Sequence, residues 1–276
     1  MSHSLTAVSQ LIQDYECPPG ATLSRHLPGH YFSRQIEYLI SARPMSIAFG
    51  NSIRWLKTEI AGVSPDLSEE AAKKLLVGKI EIFIHERITG ASQAIVKTTA
   101  GRYINEGDTI LTFAKSQVVE RSLLESRIRG KRFSVIVVDN TPLNEGKNTF
   151  SALISAGIEA QYVQLAHINA CMRGVTRVLL GAHALQVNGA LHSRVGTAIV
   201  AQAAHDNGVP VVVCCESIKF SEKFSLGGIV GNELCNNSPL SFTWSIPLMG
   251  SWHRRSRDGC SYGRRRKGGR ISSRLA

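Results

Sequence analysis

His183, Asn188, Ser193 and Arg194 lie within the seventeen residues GAHALQVNGALHSRVGT (181–197), directly after the apolar run Val178-Leu179-Leu180. An imidazole at the end of a buried strand can act as a general base or a phosphate contact. It can equally be a hydrogen-bonded polar residue with no chemistry. Arg194 stands just before a helix start, where Gly196 and Thr197 would add backbone and hydroxyl donors beside its guanidinium, as an anion site requires. Pairing with an acid, or capping a neighbouring strand, is the alternative use of the same arginine. Cys214-Cys215-Glu216 offers thiols beside a carboxylate, but no histidine is tied to them by spacing. The pair ends an apolar run, so at least one thiol is expected to be buried. Cys17, Cys171, Cys214, Cys215, Cys235 and Cys260 form no Cys-x-x-Cys pair and no zinc-ligand spacing. They read as reduced, core-filling residues, with no metal expected. A dinucleotide site is not expected either. The turn after the first strand is Lys115-Ser116-Gln117, without glycine, and GGIVG (227–231) lacks a strand-to-helix context. No cofactor is therefore assigned.

The elements that must hold these residues follow from periodicity. Leu5, Val8, Leu11, Ile12 and Tyr15 share one helical face, stopped by Pro18-Pro19-Gly20. A second helix is predicted over 31–41. A third carries Met45, Phe49, Ile53, Leu56 and Ile60, and Ser68 is the predicted N-cap of a fourth, with Glu69 and Glu70 favourably placed against its dipole. The 3–4 spacing continues through Leu76, Ile80, Phe83, Ile84, Ile88, Ala91 and Ile95. After Asn105-Glu106-Gly107 the pattern changes to short β-branched runs at 108–114, 133–139, 160–166, 177–183 and 210–216. Such runs are typical of parallel strands covered on both faces. Helical crossovers are predicted at 116–129, 147–156 and 195–207. The expected fold is α/β: an N-terminal helical domain (1–105), a Rossmann-like parallel sheet domain (106–234) and an irregular basic tail (235–276). Ligands of such sheets sit at the carboxyl ends of the strands, here marked by Ala114, Asp139, His183 and Glu216.

Charge and composition narrow the partners. The chain of 276 residues carries a net +11, but residues 251–276 hold nine basic residues against Asp258 alone. That net +8 leaves +3 for the preceding 250 residues. Arg264-Arg265-Arg266-Lys267 is a phosphate-neutralising pattern with nothing nearby to position bases, so a solvated tail is the favoured reading and nucleic acid is not an expected partner. No apolar run approaches the roughly 18 residues of a membrane span. The opening MSHSLTAVSQLIQDY lacks the layout of a secretory signal.

The ordered set QLIQDYECPP, LSRHL, ARPMSIAFGNSIRWLKTEI, GDTILTF, KRFSVIVVDNTPLNEG, RVLLGAHALQVNGALHSRVGTAIVA, VPVVVCCESIKFSEK and NEL resembles the regulatory subunits of eukaryotic translation initiation factor 2B, and within them the delta type. The resemblance implies a non-catalytic cytosolic subunit of a guanine-nucleotide exchange complex. Its implied partners are the alpha, beta, gamma and epsilon subunits and initiation factor 2 phosphorylated on its alpha subunit. Arg25 and Glu86 match positions implicated in sensing that phosphorylated factor. The fold is shared with sugar-phosphate isomerases acting on methylthioribose-1-phosphate and ribose-1,5-bisphosphate, which supply the alternative function. Those enzymes carry a cysteine in LTHC, where this chain has Ala114. They carry an aspartate in GAD…NG…NKIGT, where this chain reads His183, Asn188, Ser193 and Arg194. Their TRP…QG.R arginines are replaced by Thr141, Glu145 and Lys147. The resemblance therefore implies a vestigial pocket lined by Ala114, Thr141, His183, Asn188, Ser193 and Arg194. Delta chains also begin earlier and run on after NEL to a further strand and helix that the tail does not resemble. That departure implies a shortened or altered C-terminus and an exposed sheet edge.

Overall fold

A computed structural model describes residues 2–42 and 44–224, so the expectations for GGIVG, the basic tail and the altered C-terminus fall outside the described residues. Helix α1 (Ser2–Gln13) buries Leu5, Val8 and Ile12, as the spacing requires, and Tyr15 follows them into the core. Helix α2 (Leu23–His26) passes through a π turn (Leu27–Phe32) into α3 (Ser33–Ala42). This helix starts eight residues before its predicted position at Tyr31. Pro28 and Gly29 look like breakers in the sequence, but the wider turn absorbs the missing proline N–H. The Ser33 hydroxyl donates to the Pro28 carbonyl at 2.7 Å.

Helix α4 (Ile47–Ala61) is capped by Ser46, whose Oγ accepts from the Phe49 N–H at 3.3 Å. Helix α5 (Glu69–Phe83) is capped by Ser68 as expected, with Glu69 and Glu70 in its first turn. It continues through a π turn (Ile84–Gly90), α6 (Ala91–Thr98) and a second π turn (Thr99–Tyr103). The whole run, 69–103, spans about 50 Å at 1.5 Å per residue. Its first half sends Leu76 and Ile80 into a helical core with Leu5, Ile12, Leu56 and Ile60. Its second half lays Ile95 and Val96 on the sheet. Lys131 Nζ donates to the Ala100 carbonyl (2.8 Å) and to that of Ile104, and Arg177 donates to that of Tyr103. Two cations thus satisfy the carbonyls at the end of this run.

The sheet region follows as β1 (Thr109–Phe113), α7 (Gln117–Ile128), β2 (Ser134–Asp139), α8 (Gly146–Ser155), β3 (Glu159–Gln164), a short α9 (Ile168–Cys171) and β4 (Arg177–Gly181). Next come β5 (Ala184–Gln186), β6 (Leu191–His192), α10 (Thr197–Asp206), β7 (Val211–Cys214) and β8 (Phe220–Ser221). Five parallel strands take the order β3-β2-β1-β4-β7, and β6-β5-β8 form a small second sheet. All five predicted runs became strands of the main sheet. Alternation sorts their side chains: Leu111, Phe113, Val178 and Leu180 face Val200 and Ala203 of α10, while Ile110, Val135, Val137 and Leu179 face Val118, Leu123 and Leu153. Cys214 is buried and Cys215 half-buried, and burial pushes both thiols up, which keeps them protonated and unreactive. No helix among the described residues is long and apolar enough to cross a membrane. The described residues all fall in one compact unit, Met1–Asn232.

Candidate functional site

The carboxyl ends of β2, β1 and β4 lie side by side in the order Asp139, Ala114, His183. The register pairs Thr112 with Leu179, which sets Ala114 across from Gly181 with His183 two residues beyond. Ala114 leaves β1 at φ 54, in the left-handed region, with its N–H on the Val138 carbonyl at 2.8 Å and its methyl buried beside Phe113. Ser116 lies so close to β4 that a Cβ on Gly181 would come within 2.2 Å of its Oγ.

Asp139 is 2% exposed and fully used. Its Oδ1 accepts from the Asn140 N–H at 2.9 Å, and its Oδ2 accepts from the Gly146 N–H at 2.7 Å and the Tyr162 hydroxyl at 3.1 Å. Gly146 opens α8, so the carboxylate sits at a helix N-terminus where its charge is favoured. A side chain at 146 would strike it, since an added Cβ would lie 2.8 Å from Oδ2. Burial, and then the Asp139 charge, push the Tyr162 phenol up to about 12. Sequence spacing gave no sign of Tyr162, which reaches Asp139 from the neighbouring strand. Thr141 is exposed in the loop between Asp139 and α8, and the Thr141–Pro142 bond is cis.

The stretch 181–197 forms a hairpin and a helix entry. Asn188 turns the chain between β5 and β6, its Oδ1 accepting from the Ala190 N–H at 3.2 Å, with Gly189 at φ 79. His183 is exposed; its backbone N–H donates to the His192 carbonyl at 3.0 Å, and the two rings meet edge to face at 5.5 Å. Ser193 Oγ donates to the Gly181 carbonyl at 3.3 Å. Arg194 pairs with Glu145, the residue just before α8, with the two side chains 41% and 36% exposed. Of the two uses open to Arg194, the structure shows the acid pair. Gly196, at φ 108, lies against Phe113 and Leu165, and an added Cβ would come within 2.6 Å of the Phe113 ring. Glu216 bonds Lys219 at 2.6 Å, and Lys219 Nζ also donates to the Ala182 carbonyl at 3.0 Å. Near this stretch, the buried atoms His192 Nδ1 and Thr197 Oγ1 have no hydrogen-bond partner among the described residues.

Arg25 and Glu86 lie elsewhere. Both are exposed on the helical region, Arg25 on α2 and Glu86 in the π turn that follows α5. Beside Arg25, His26 Nδ1 meets the Tyr15 hydroxyl, whose pKa is pushed up to about 12 by burial, with Cys17 and Glu69 adding to it. The crevice thus brings together Ala114, His183, Ser193 and Arg194, leaves Thr141 and Asn188 on exposed loops, and does not include Arg25 or Glu86. Proton transfer would need two groups that exchange protons at neutral pH. A methyl group stands at the end of β1, and the Arg194 guanidinium is paired with Glu145.

A sequence profile described as the initiation factor 2 subunit family matches residues 2–242. The chain is 44% identical over 230 residues to translation initiation factor eIF2B subunit delta of Schizosaccharomyces pombe, covering 83% of this chain and 49% of that protein. The chain therefore spans about half the length of that curated relative. It superposes on a chain of the crystal structure of the tetrameric eIF2B-beta2-delta2 complex from C. thermophilum with TM-score 0.78 at 40% identity, covering 82% of this chain and 72% of that one. Ribose 1,5-bisphosphate isomerase of Methanocaldococcus jannaschii is 29% identical over 201 residues, covering 73% of this chain and 62% of the enzyme.

Proposed function

The chain belongs to the initiation factor 2 subunit family, and from that premise we propose that it acts as a non-catalytic, delta-type regulatory subunit of the translation initiation factor 2B exchange complex. In this reading it pairs with a beta-type subunit, joins the alpha, gamma and epsilon subunits in the assembled cytosolic complex, and uses the helical surface bearing Arg25 and Glu86 to sense phosphorylated initiation factor 2. The observation that carries the proposal is the state of the crevice. Ala114 stands at the end of β1, and Arg194 is neutralised by Glu145. The similarity to a chain of a beta2-delta2 assembly supports the choice of partner.

The alternative, an aldose–ketose isomerase, draws on the similarity to a ribose 1,5-bisphosphate isomerase. Against it stands the loss of both expected proton carriers, each worth about 10²–10⁴-fold in rate. Co-expression with a beta-type subunit tests the main proposal. A stable heteromeric complex by light scattering is expected, weakened for the phosphorylated factor by Arg25→Glu. A soluble chain that stays apart from the beta-type subunit would overturn the proposal.

A further inference from the structure

Asn51 lies inside α4, on the helical region, yet its hydrogen bonds are made elsewhere. Its Nδ2 donates to the carbonyls of Ile218 (2.8 Å) and Phe220 (2.7 Å), both in the segment that follows β7. That segment, Ser217–Ser221, is a strap. Between those two residues, Lys219 pairs with Glu216 and donates to the Ala182 carbonyl, which ties the strap to the sheet region as well. Phe220 and Ser221 form β8, which pairs with Leu185 and Gln186 of β5. β5 in turn pairs with β6, and Ser193 and Arg194 follow directly. The strap also packs against the π turn 84–90, on the long helical run.

We propose that Asn51 is a clasp that couples the helical region to the crevice, holding the strap and, through β8, the β5–β6 hairpin that forms one crevice wall. A primary amide has two N–H donors, so one side chain can serve two carbonyls at once. Asn51 lies at an open groove of about 340 Å³ lined by Arg54, Trp55, Thr58, Phe220 and Glu222. Water therefore reaches the freed carbonyls when the clasp opens, and the strap loosens without unfolding the core. Coupling of this kind requires an element whose state both regions bias, and the strap is that element. The inference concerns this chain alone and does not depend on its partners.

Amide hydrogen exchange on the full chain tests it. Asn51→Ala is expected to speed exchange about tenfold both in the strap (216–222) and in the hairpin (184–192), leaving β1 and β2 unchanged. Faster exchange in the strap alone would overturn the coupling, and so would a uniform rise across the chain, which would show a general loss of stability in place of a strap-to-hairpin link. Should Asn51→Ala fail to fold, Lys219→Met loosens the strap from Glu216 and Ala182 instead. The same paired response of strap and hairpin is expected there, and a quiet hairpin would overturn the proposal.

Discussion

In the helical region, Leu5, Ile12, Leu56, Leu76 and Ile80 are wholly removed from solvent and pack into one apolar cluster. At the carboxyl edge of the sheet, Asp139, Glu145, Arg194, Glu216 and Lys219 are instead satisfied by one another or by the backbone. Apolar burial is non-directional and scales with area. Pairing of charges depends on geometry, and a charge already paired inside the protein is less available to a substrate. At this edge the charged groups therefore hold strands and loops together.

Substitutions in the two regions should separate these modes. The largest effect is expected in the helical core, where Leu56→Ala should cost about 4 kcal/mol in urea unfolding, since Leu56 is 0% exposed. At the crevice, Asp139→Ala strands the N–H groups of Asn140 and Gly146, leaves the Tyr162 hydroxyl only Asn144 Oδ1 at 3.3 Å, and should cost about 3 kcal/mol. A near-silent Asp139→Ala would mean that the crevice carboxylate is not structural, and the contrast between the regions would fail. Gly181→Ala drives a methyl into Ser116 and should cost about 2 kcal/mol, most of it recovered in the double variant with Ser116→Gly. The smallest effect is one of pH. Tyr162 stays protonated in the folded state up to about 12, whereas the unfolded phenol ionises near 10. The unfolded chain loses its proton first, so stability falls as pH rises between those values. Tyr162→Phe should flatten that fall only in part, because Tyr15 is pushed up to about 12 as well.

The same contrast explains what could be read from the residues. Helix faces and buried strands leave a period of 3.6 or 2 along the chain, so the core positions of α1, α4 and α5 and all five strands of the main sheet were legible. Elements too short to show a period were not, including the two-residue β6 and β8. The helix predicted over 31–41 begins earlier, at Leu23, because a π turn carries it through Pro28 and Gly29. At the site, the Asn-Gly turn and the helix after Gly196 were legible because they are local. The pairing of Arg194 with Glu145, 49 residues away, was not. Nor was the grip of Asn51 on carbonyls 167 and 169 residues distant. Polar contacts between distant segments leave no spacing signal, and they are what decide the chemistry of this crevice.

Turnover of ribose 1,5-bisphosphate by the purified full chain, followed by phosphorus NMR, tests most directly whether the crevice is scaffold or catalyst. A scaffold with Ala114 at the end of β1 and Arg194 held by Glu145 predicts no ketose product above the protein-free control. Conversion that scales with protein and disappears in His183→Ala would contradict it.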